Sequence, residues 1–314
     1  MLSIDVGYGN TKIYDGQKFF AFPSVYYKAK EGERPSRNKK DLVIEVDGEK
    51  YHVGKAAIAR SGDSPMNRED MFRHKLFVLS AICFATTGDF DDEVLLGLPI
   101  GDMDLMERRL KRLKGEYDVS FNGRKRHINI KAVKVFAQAE SIYSLLYQDE
   151  LNIENSKVGI IDIGQKTIDL AYYSFDTYVD DKSGSLPDLG CKSAYLDIKN
   201  VINRKLHMEN VEWYEVPIYL KRSEAELIKD DIDRAFKDMA DSILVKTDAL
   251  RWDFRELDYV LVVGGGAFYI RDYIREKIKS VSGKDKVISI TADDIQEEKI
   301  TAFANAWGYY EGAK

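Results

Sequence analysis

The stretch Val158–Ser174 has the sequence V-G-I-I-D-I-G-Q-K-T-I-D-L-A-Y-Y-S. An apolar run ends there at Asp162, a turn that contains one glycine follows, and a second strand-like run begins at Thr167. An ionisable group at the end of a buried strand is costly unless it faces a cleft or a partner. The stretch therefore predicts a β-hairpin whose aspartate has a function.

A similar pattern opens the chain at Leu2–Tyr14, where an apolar alternation around Asp5 runs into the turn G-Y-G-N. Backbone N–H groups left unpaired at such a turn form a concavity that binds anions, and glycine lets the main chain approach a phosphate. Thr11 or Thr167 would add a hydroxyl donor, and Lys12 a positive charge. Phosphate would repel Asp5 and Asp162 directly, so we expect them to hold the water shell of Mg²⁺.

Taken singly, each hairpin indicates no more than a tight turn. As a pair they favour a nucleotide site, in which the two hairpins face each other and clamp the phosphates of one nucleotide. The chain contains no G-x-x-x-x-G-K-[ST] stretch, which excludes a Walker-type site.

Three consecutive glycines, Gly264, Gly265 and Gly266, follow the apolar strand-like run Tyr259–Val263 and precede a helical pattern. They offer a flat surface against which a purine ring or a ribose could lie. Close packing between the strand and the helix explains the same glycines equally well, and both interpretations stay open here.

Length and composition limit the classes of protein to which the chain can belong. The chain has 314 residues, of which 44% are hydrophobic and 32% charged, and its formal net charge is −6. This profile is typical of a globular protein with two ordinary domains, and the alternation of strand-like and helical patterns predicts an α/β fold. The negative charge argues against a direct nucleic-acid partner.

The most basic part of the chain comprises a predicted helix, Asp102–Lys114, and the residues Arg124–Arg126. We interpret it as a solvated face, with nucleic-acid or filament contact as the alternative.

The longest apolar run, Leu76–Ala85, is about half as long as a membrane span needs. The first predicted strand begins at Leu2 and leaves no room for a signal peptide. We therefore expect a cytoplasmic protein without a membrane partner.

Four motifs occur in order along nearly the whole chain. They are D-V-G-Y-G-N-T-K from Asp5, V-F-A-Q from Val135, D-I-G-Q-K-T-I-D from Asp162 and V-V-G-G-G-A-F from Val262. Together they resemble the actin superfamily of ATPases, which includes the heat-shock chaperones and the sugar kinases. Within that superfamily the chain is most similar to prokaryotic actin-like proteins of the plasmid-segregation type (ParM or StbA) and to archaeal actin homologues.

The resemblance implies an actin-like fold of two α/β domains that flank a cleft for ATP or ADP and Mg²⁺. Domain I would span 1–155, with a small insertion at about 24–66, and domain II would span 156–291. A C-terminal helix of about 292–314 would pack back on domain I.

Site residues follow from the resemblance by position. The residues of the first phosphate loop are Asp5, Gly7, Gly9, Asn10, Thr11 and Lys12, those of the second are Asp162, Gly164, Gln165, Lys166, Thr167 and Asp169, and those of the adenosine loop are Gly264, Gly265 and Gly266. Asp5 and Asp162 would hold the water shell of the Mg²⁺ ion. The second loop departs from many relatives, because Gln165 and Lys166 stand where small residues are usual.

Gln138 or Glu140 falls where the family places the residue that orients the attacking water. We favour Gln138, counted from the end of a predicted strand Ile128–Phe136. A glutamine does not take up a proton at neutral pH, so it would position water rather than act as a base. Hydrolysis of ATP would then be slow, which suits a protein that uses hydrolysis as a timer rather than for metabolic turnover.

Three functions compete. The first is an ATP-dependent filament that segregates plasmid or other DNA through a DNA-binding adaptor protein. The second is a small-molecule kinase of the same superfamily, which needs a carboxylate to activate a substrate hydroxyl; Gln138 argues against it and Glu140 keeps it open. The third is a monomeric switch of the chaperone kind, against which the absence of a separate substrate-binding domain counts.

Overall fold

Strands and helices alternate along the chain in this computed structural model, so the predicted α/β class is confirmed. The structure describes residues 1–33, 41–60, 62, 70–148, 152–209, 211–290 and 297–314. The strands are β1 (Leu2–Val6), β2 (Asn10–Tyr14), β3 (Phe19–Pro23), β4 (Tyr26–Lys28), β5 (Leu42–Val46), β6 (Glu49–Val53), β7 (Phe90–Leu98), β8 (Gly115–Phe121), β9 (Arg124–Ala137), β10 (Lys157–Ile163), β11 (Ile168–Ser174), β12 (Thr177–Tyr178), β13 (Gly184–Leu186), β14 (Tyr259–Val263) and β15 (Val287–Ile288). The α-helices are α1 (Lys55–Ile58), α2 (Met71–Ala85), α3 (Met103–Leu110), α4 (Cys191–Lys205), α5 (Val216–Tyr219), α6 (Lys229–Ala249), α7 (Ala267–Ser282), α8 (Glu297–Ala302) and α9 (Ala304–Gly312).

The chain divides into two compact units. Met1–Ser144 and Asn305–Lys314 form unit 1, and Leu145–Ala304 forms unit 2. The domain limits expected from the sequence, 155 and 291, remain a prediction. The proposed start of the C-terminal helix, 292–296, lies outside the described residues, and the segment that follows forms α8 and α9.

One sheet organises unit 1. Among the described residues its strand order is β3-β2-β1-β7-β9-β8-β5-β6-β4. β1 runs antiparallel to β2 and parallel to β7, which in turn runs parallel to β9. Two strands within the predicted insertion, β5 and β6, extend this same sheet because β5 pairs with both β6 and β8.

Helices cover both faces of that sheet. Alternate residues of β1, such as Leu2 and Ile4, pack with α2 in the buried core, as the two-residue period of a strand requires. The opposite face receives α9: the Ser3 hydroxyl donates to the carbonyl of Ala306. Gly97 of β7 admits the ring of Tyr309, whose atoms leave no room for a Cβ at that position. The two faces therefore have different partners, and Asp5 lies on the face that α9 covers.

The basic region of unit 1 is only partly solvated. Arg124 and Lys125 are exposed, as expected of a solvated face, whereas Arg126 is 8% exposed. The guanidinium of Arg126 donates to the carbonyls of Cys83 (3.0 Å) and Thr86 (3.1 Å) at the end of α2. The interpretation of Arg126 as a surface residue was therefore wrong, because it binds the unpaired carbonyls of a helix terminus.

Unit 2 is built on a second sheet. Among the described residues its strand order is β12-β11-β10-β14-β15, with β13 paired to β11. β10 lies between an antiparallel partner, β11, and a parallel one, β14. Its apolar side chains pack with those of α4, α6 and α7 in one buried cluster. A strand paired on both sides and buried on both faces accounts for the continuous apolar run before Asp162.

No helix in the described part of the chain combines the length and the apolar character that crossing a membrane would require.

Candidate functional site

The hairpin β1–β2 brings three predicted site residues of unit 1 together. The strand register places Asp5 opposite Lys12. Asp5 is 2% exposed, and the Lys12 ammonium lies 3.1 Å from its Oδ2. The side-chain amide of Gln138 donates to Oδ1 of the same carboxylate at 3.0 Å. The buried Asp5 is therefore an acceptor shared by a cation and an amide.

Gln138 reaches Asp5 because of how β9 ends. Ala137 pairs with Leu98 of β7, and the N–H of Gln138 still donates to the Leu98 carbonyl (2.7 Å). A carboxylate only accepts hydrogen bonds, so the NH₂ of Gln138 must face Asp5. Its carbonyl oxygen is then directed elsewhere and can accept a hydrogen bond from a water molecule.

The residue after Gln138 fixes the turn. Ala139 has a left-handed backbone (φ 62°), which is unusual for a residue with a side chain. Its N–H donates to Oδ1 of Asn305 in α9 at 3.1 Å.

Glu140, the second candidate for the water-positioning residue, begins a 3-10 helix at Glu140–Gln148 and is exposed. Desolvation by the surrounding protein nevertheless raises the pKa of its carboxyl above the ordinary value.

The turn of the first hairpin has its carbonyls bonded to protein donors. The guanidinium of Arg73 donates to the carbonyl of Gly7 (2.9 Å), and the N–H of Ser24 donates to the carbonyl of Gly9 (2.9 Å). In a trans peptide the N–H points away from the preceding C=O. The N–H groups of Tyr8 and Asn10 are therefore directed to the opposite side of the turn.

Thr11 lies in the interior of unit 1. Its side chain is fully buried, and its hydroxyl lies 3.0 Å from the hydroxyl of Ser24. Successive residues of a strand point to opposite faces, so Thr11 faces inward when Lys12 faces Asp5. Its hydroxyl supports the turn from the interior, and its expected role as a phosphate donor stays a prediction.

The second hairpin is held by the start of α4. The N–H groups of Gly190, Cys191 and Lys192 donate to the carbonyls of Lys166, Gly164 and Gln165 at 3.1, 3.1 and 2.8 Å. A Cβ on Gly190 would lie 2.6 Å from the carbonyl oxygen of Gln165, so this close contact requires glycine. The N–H groups of residues 165–167 consequently point away from α4. The main-chain path of the turn is thus fixed although Gln165 and Lys166 are larger than the usual residues.

The two turns have the same local geometry. A Cβ on Gly7 would lie 2.8 Å from the carbonyl oxygen of Asn10, and one on Gly164 would lie 2.7 Å from that of Thr167. Asp162 pairs with Asp169 across its hairpin at the same seven-residue spacing as Asp5 and Lys12. Asn10, and not Thr11, is therefore the counterpart of Thr167.

The chemistry beside the second turn differs from that beside the first, since two carboxylates face each other there. Asp162 and Asp169 are 4% and 2% exposed. Asp169 accepts from the hydroxyls of Thr167 (3.4 Å) and Ser185. Like charges directly opposite each other in a sheet repel, so a cation or a proton near this pair would stabilise it.

The three glycines after β14 have two different roles. Gly264 has φ +90°, and a Cβ there would lie 2.4 Å from Oδ1 of Asp162; a Cβ on Gly266 would lie 2.3 Å from Sγ of Cys191. A Cβ on Gly265 would meet nothing within 4 Å, and Gly265 is exposed. Close packing thus explains the outer two glycines, and open surface is found at the middle one.

A metal is expected at this site from the resemblance. Among the described residues, no group of three or more His, Cys, Asp or Glu side chains is arranged to hold one. The pair Asp162 and Asp169 has the oxygen ligands that Mg²⁺ prefers. Asp5 already pairs with the Lys12 cation, whereas the hydroxyls from which Asp169 accepts are neutral, so the second hairpin fits Mg²⁺ better.

Several residues of this arrangement were missed from the sequence. Ser24, Arg73, Ser185, Gly190 and Asn305 all fix a predicted site residue or its turn, and each lies far from it in sequence or in another element. Only Gly190 carried a local signal, since it immediately precedes a helical pattern.

Two family models match the chain. Residues 3–140 match the N-terminal domain of actin-like proteins, and residues 160–276 match the C-terminal domain of the MreB-like archaeal actin homologues. A search of curated protein sequences finds no significant match.

Solved structures of similar fold cover the whole chain. The archaeal actin homologue Ta0583 in complex with ADP is 21% identical, with a TM-score of 0.78 over 99% of this chain and 98% of that one. A ParM from Clostridium botulinum, solved as a 15-stranded filament, is 20% identical, with a TM-score of 0.79 over 100% and 99%. ParM of Bacillus thuringiensis with AMPPNP is 18% identical, with a TM-score of 0.67 over 98% and 96%. At these identities the likeness establishes the fold.

Proposed function

Since the chain is an actin-like protein with this fold along its whole length, we propose that it binds ATP through both hairpins and hydrolyses it slowly. One observation carries the proposal. Two hairpins of the same geometry, one in each unit, have turn carbonyls bonded to protein donors, so the N–H groups of the same peptides point the opposite way. Such a row of N–H groups binds anions, and ATP is the nucleotide class that the resemblance implies.

Individual residues have different proposed roles in binding and hydrolysing ATP. Lys12, held by Asp5, supplies positive charge to the phosphates. Gln138, whose NH₂ is held by the same carboxylate, presents its carbonyl oxygen to the attacking water and orients it. Gly265 provides the open main-chain surface for the adenosine.

Magnesium is proposed at the second hairpin. Asp162 would hold Mg²⁺, directly or through its water shell, with Asp169 beside it. When bound, the ion would offset the negative charge of the phosphates.

Assembly into filaments is the proposed use of the ATP. The support is the fold shared with a ParM that was solved as a filament. We propose that ATP binding favours assembly, that hydrolysis weakens the filament, and that a DNA-binding adaptor links it to plasmid or other DNA in the cytoplasm.

Sedimentation tests this proposal. The protein with ATP and Mg²⁺ is expected to pellet on ultracentrifugation at micromolar concentrations, and Asp162→Ala is expected to stay in the supernatant because it loses the carboxylate beside the phosphates. Protein without nucleotide is the control. Light scattering that stays flat while a small metabolite becomes phosphorylated would show that the kinase alternative is right.

The pH profile of hydrolysis separates the two water-positioning candidates. A carboxylate acts as a base only when deprotonated, so a rate that depended on Glu140 would rise with pH through the raised pKa of that carboxyl. Gln138 does not titrate. We therefore expect Glu140→Gln to have the same pH profile as the unaltered protein between about pH 5 and about pH 8. A rising limb that disappears in Glu140→Gln would assign the base to Glu140 and favour the kinase.

A further inference from the structure

Arg73 is a buried cation next to the first phosphate turn. It lies in the first turn of α2, where its N–H donates to the N-cap carboxylate of Asp70, and it is 1% exposed. Besides its bond to Gly7, its guanidinium carbon lies 5.0 Å from the ring centroid of Tyr8 and 5.6 Å from that of Phe77. Two aromatic faces and one carbonyl of the turn are thus among the groups that hold it.

We propose that Arg73 is a positioning residue for the phosphates of the bound nucleotide, an inference that rests on the proposed function. A guanidinium is a rigid planar donor that stays charged at any physiological pH. By holding the carbonyl of Gly7, it directs the N–H of the same peptide to the opposite side of the turn.

Arg126 provides a matched comparison. It is also buried in unit 1, and it also donates to main-chain carbonyls, but at the other end of α2. Its partners belong to the helix terminus and not to a phosphate turn. An arginine that only stabilises the fold should behave as Arg126 does.

Calorimetric titration with ADP and with adenosine tests the inference. Arg73→Gln is expected to weaken ADP binding about tenfold or more, the usual range for a hydrogen bond to a charged group, and to leave adenosine binding unchanged. Arg73→Lys, which keeps the charge and one donor, should retain part of the affinity for ADP. Arg126→Gln should lower the melting temperature and keep the ratio of the two affinities.

The outcomes are separable. An unchanged ratio of ADP to adenosine affinity in Arg73→Gln overturns the inference while leaving ATP binding itself intact. If Arg73→Gln does not fold, Arg73→Lys decides, since an unchanged ratio there has the same meaning. An unaltered protein that binds no ADP contradicts the proposed function and overturns this inference with it.

Discussion

Replacing Gly264 with alanine is expected to abolish ATP binding, whereas the same change at Gly184 should have no effect. At 264 the backbone is left-handed, and the added Cβ would lie 2.4 Å from Oδ1 of Asp162 and 2.5 Å from the carbonyl oxygen of Ile163. Left-handed backbone costs a residue with a side chain about 1–2 kcal/mol before any clash. The clash then displaces the carboxylate that we assign to Mg²⁺.

Gly184, in β13 of the same unit, is the control. A Cβ on Gly184 meets nothing within 4 Å, so Gly184→Ala should keep both the melting temperature and the affinity for ATP. Thermal unfolding and calorimetric titration of the two variants check this. Equal affinities in Gly264→Ala and Gly184→Ala would show that the position of Asp162 does not matter for the nucleotide.

Gln138→Leu is expected to lower the rate of ATP hydrolysis by about 100-fold, a typical loss for a group that guides proton or water in a reaction. Leucine has a similar size but cannot accept a hydrogen bond from water. It also removes the donor to Oδ1 of Asp5, so a loss of about 1–3 kcal/mol in stability should accompany the change.

Single-turnover hydrolysis with bound ATP separates the rate from the affinity. Glu140→Gln, two residues along the same turn, is the control and should hydrolyse ATP at the unaltered rate. If Gln138→Leu keeps the full rate and Glu140→Gln loses it, the assignment of the water-positioning residue is reversed.

Local patterns in the sequence were enough to predict the fold class and the hairpins. The strand Tyr259–Val263 was predicted with the bounds it has, and the first strand begins at Leu2 as predicted, because an apolar run that stops at glycine or aspartate marks a strand end. Asp5, Lys12 and Gln138 were each predicted as site residues, but the contacts among their side chains were not predicted.

What escaped prediction depends on contacts distant in sequence. Arg73 lies 66 residues from the carbonyl it holds, and nothing in the pattern of α2 distinguishes it from a surface arginine. The carbonyls of the second turn are held by a helix that starts at Cys191. Thr11 is different, because the two-residue period of a strand already places it on the face opposite Lys12.

The central claim is that hairpins from both units bind the phosphates of one ATP, and a calorimetric titration of two equivalent variants tests it most directly. Gly7→Ala and Gly164→Ala each place a Cβ within 2.8 Å of a carbonyl oxygen of their own turn. Gly184→Ala, where a Cβ meets nothing within 4 Å, is the control. We predict one ATP per chain, an affinity at least about tenfold weaker in each of the two turn variants, and no change in the control. Full affinity in either turn variant, or two ATP per chain, would contradict a shared site.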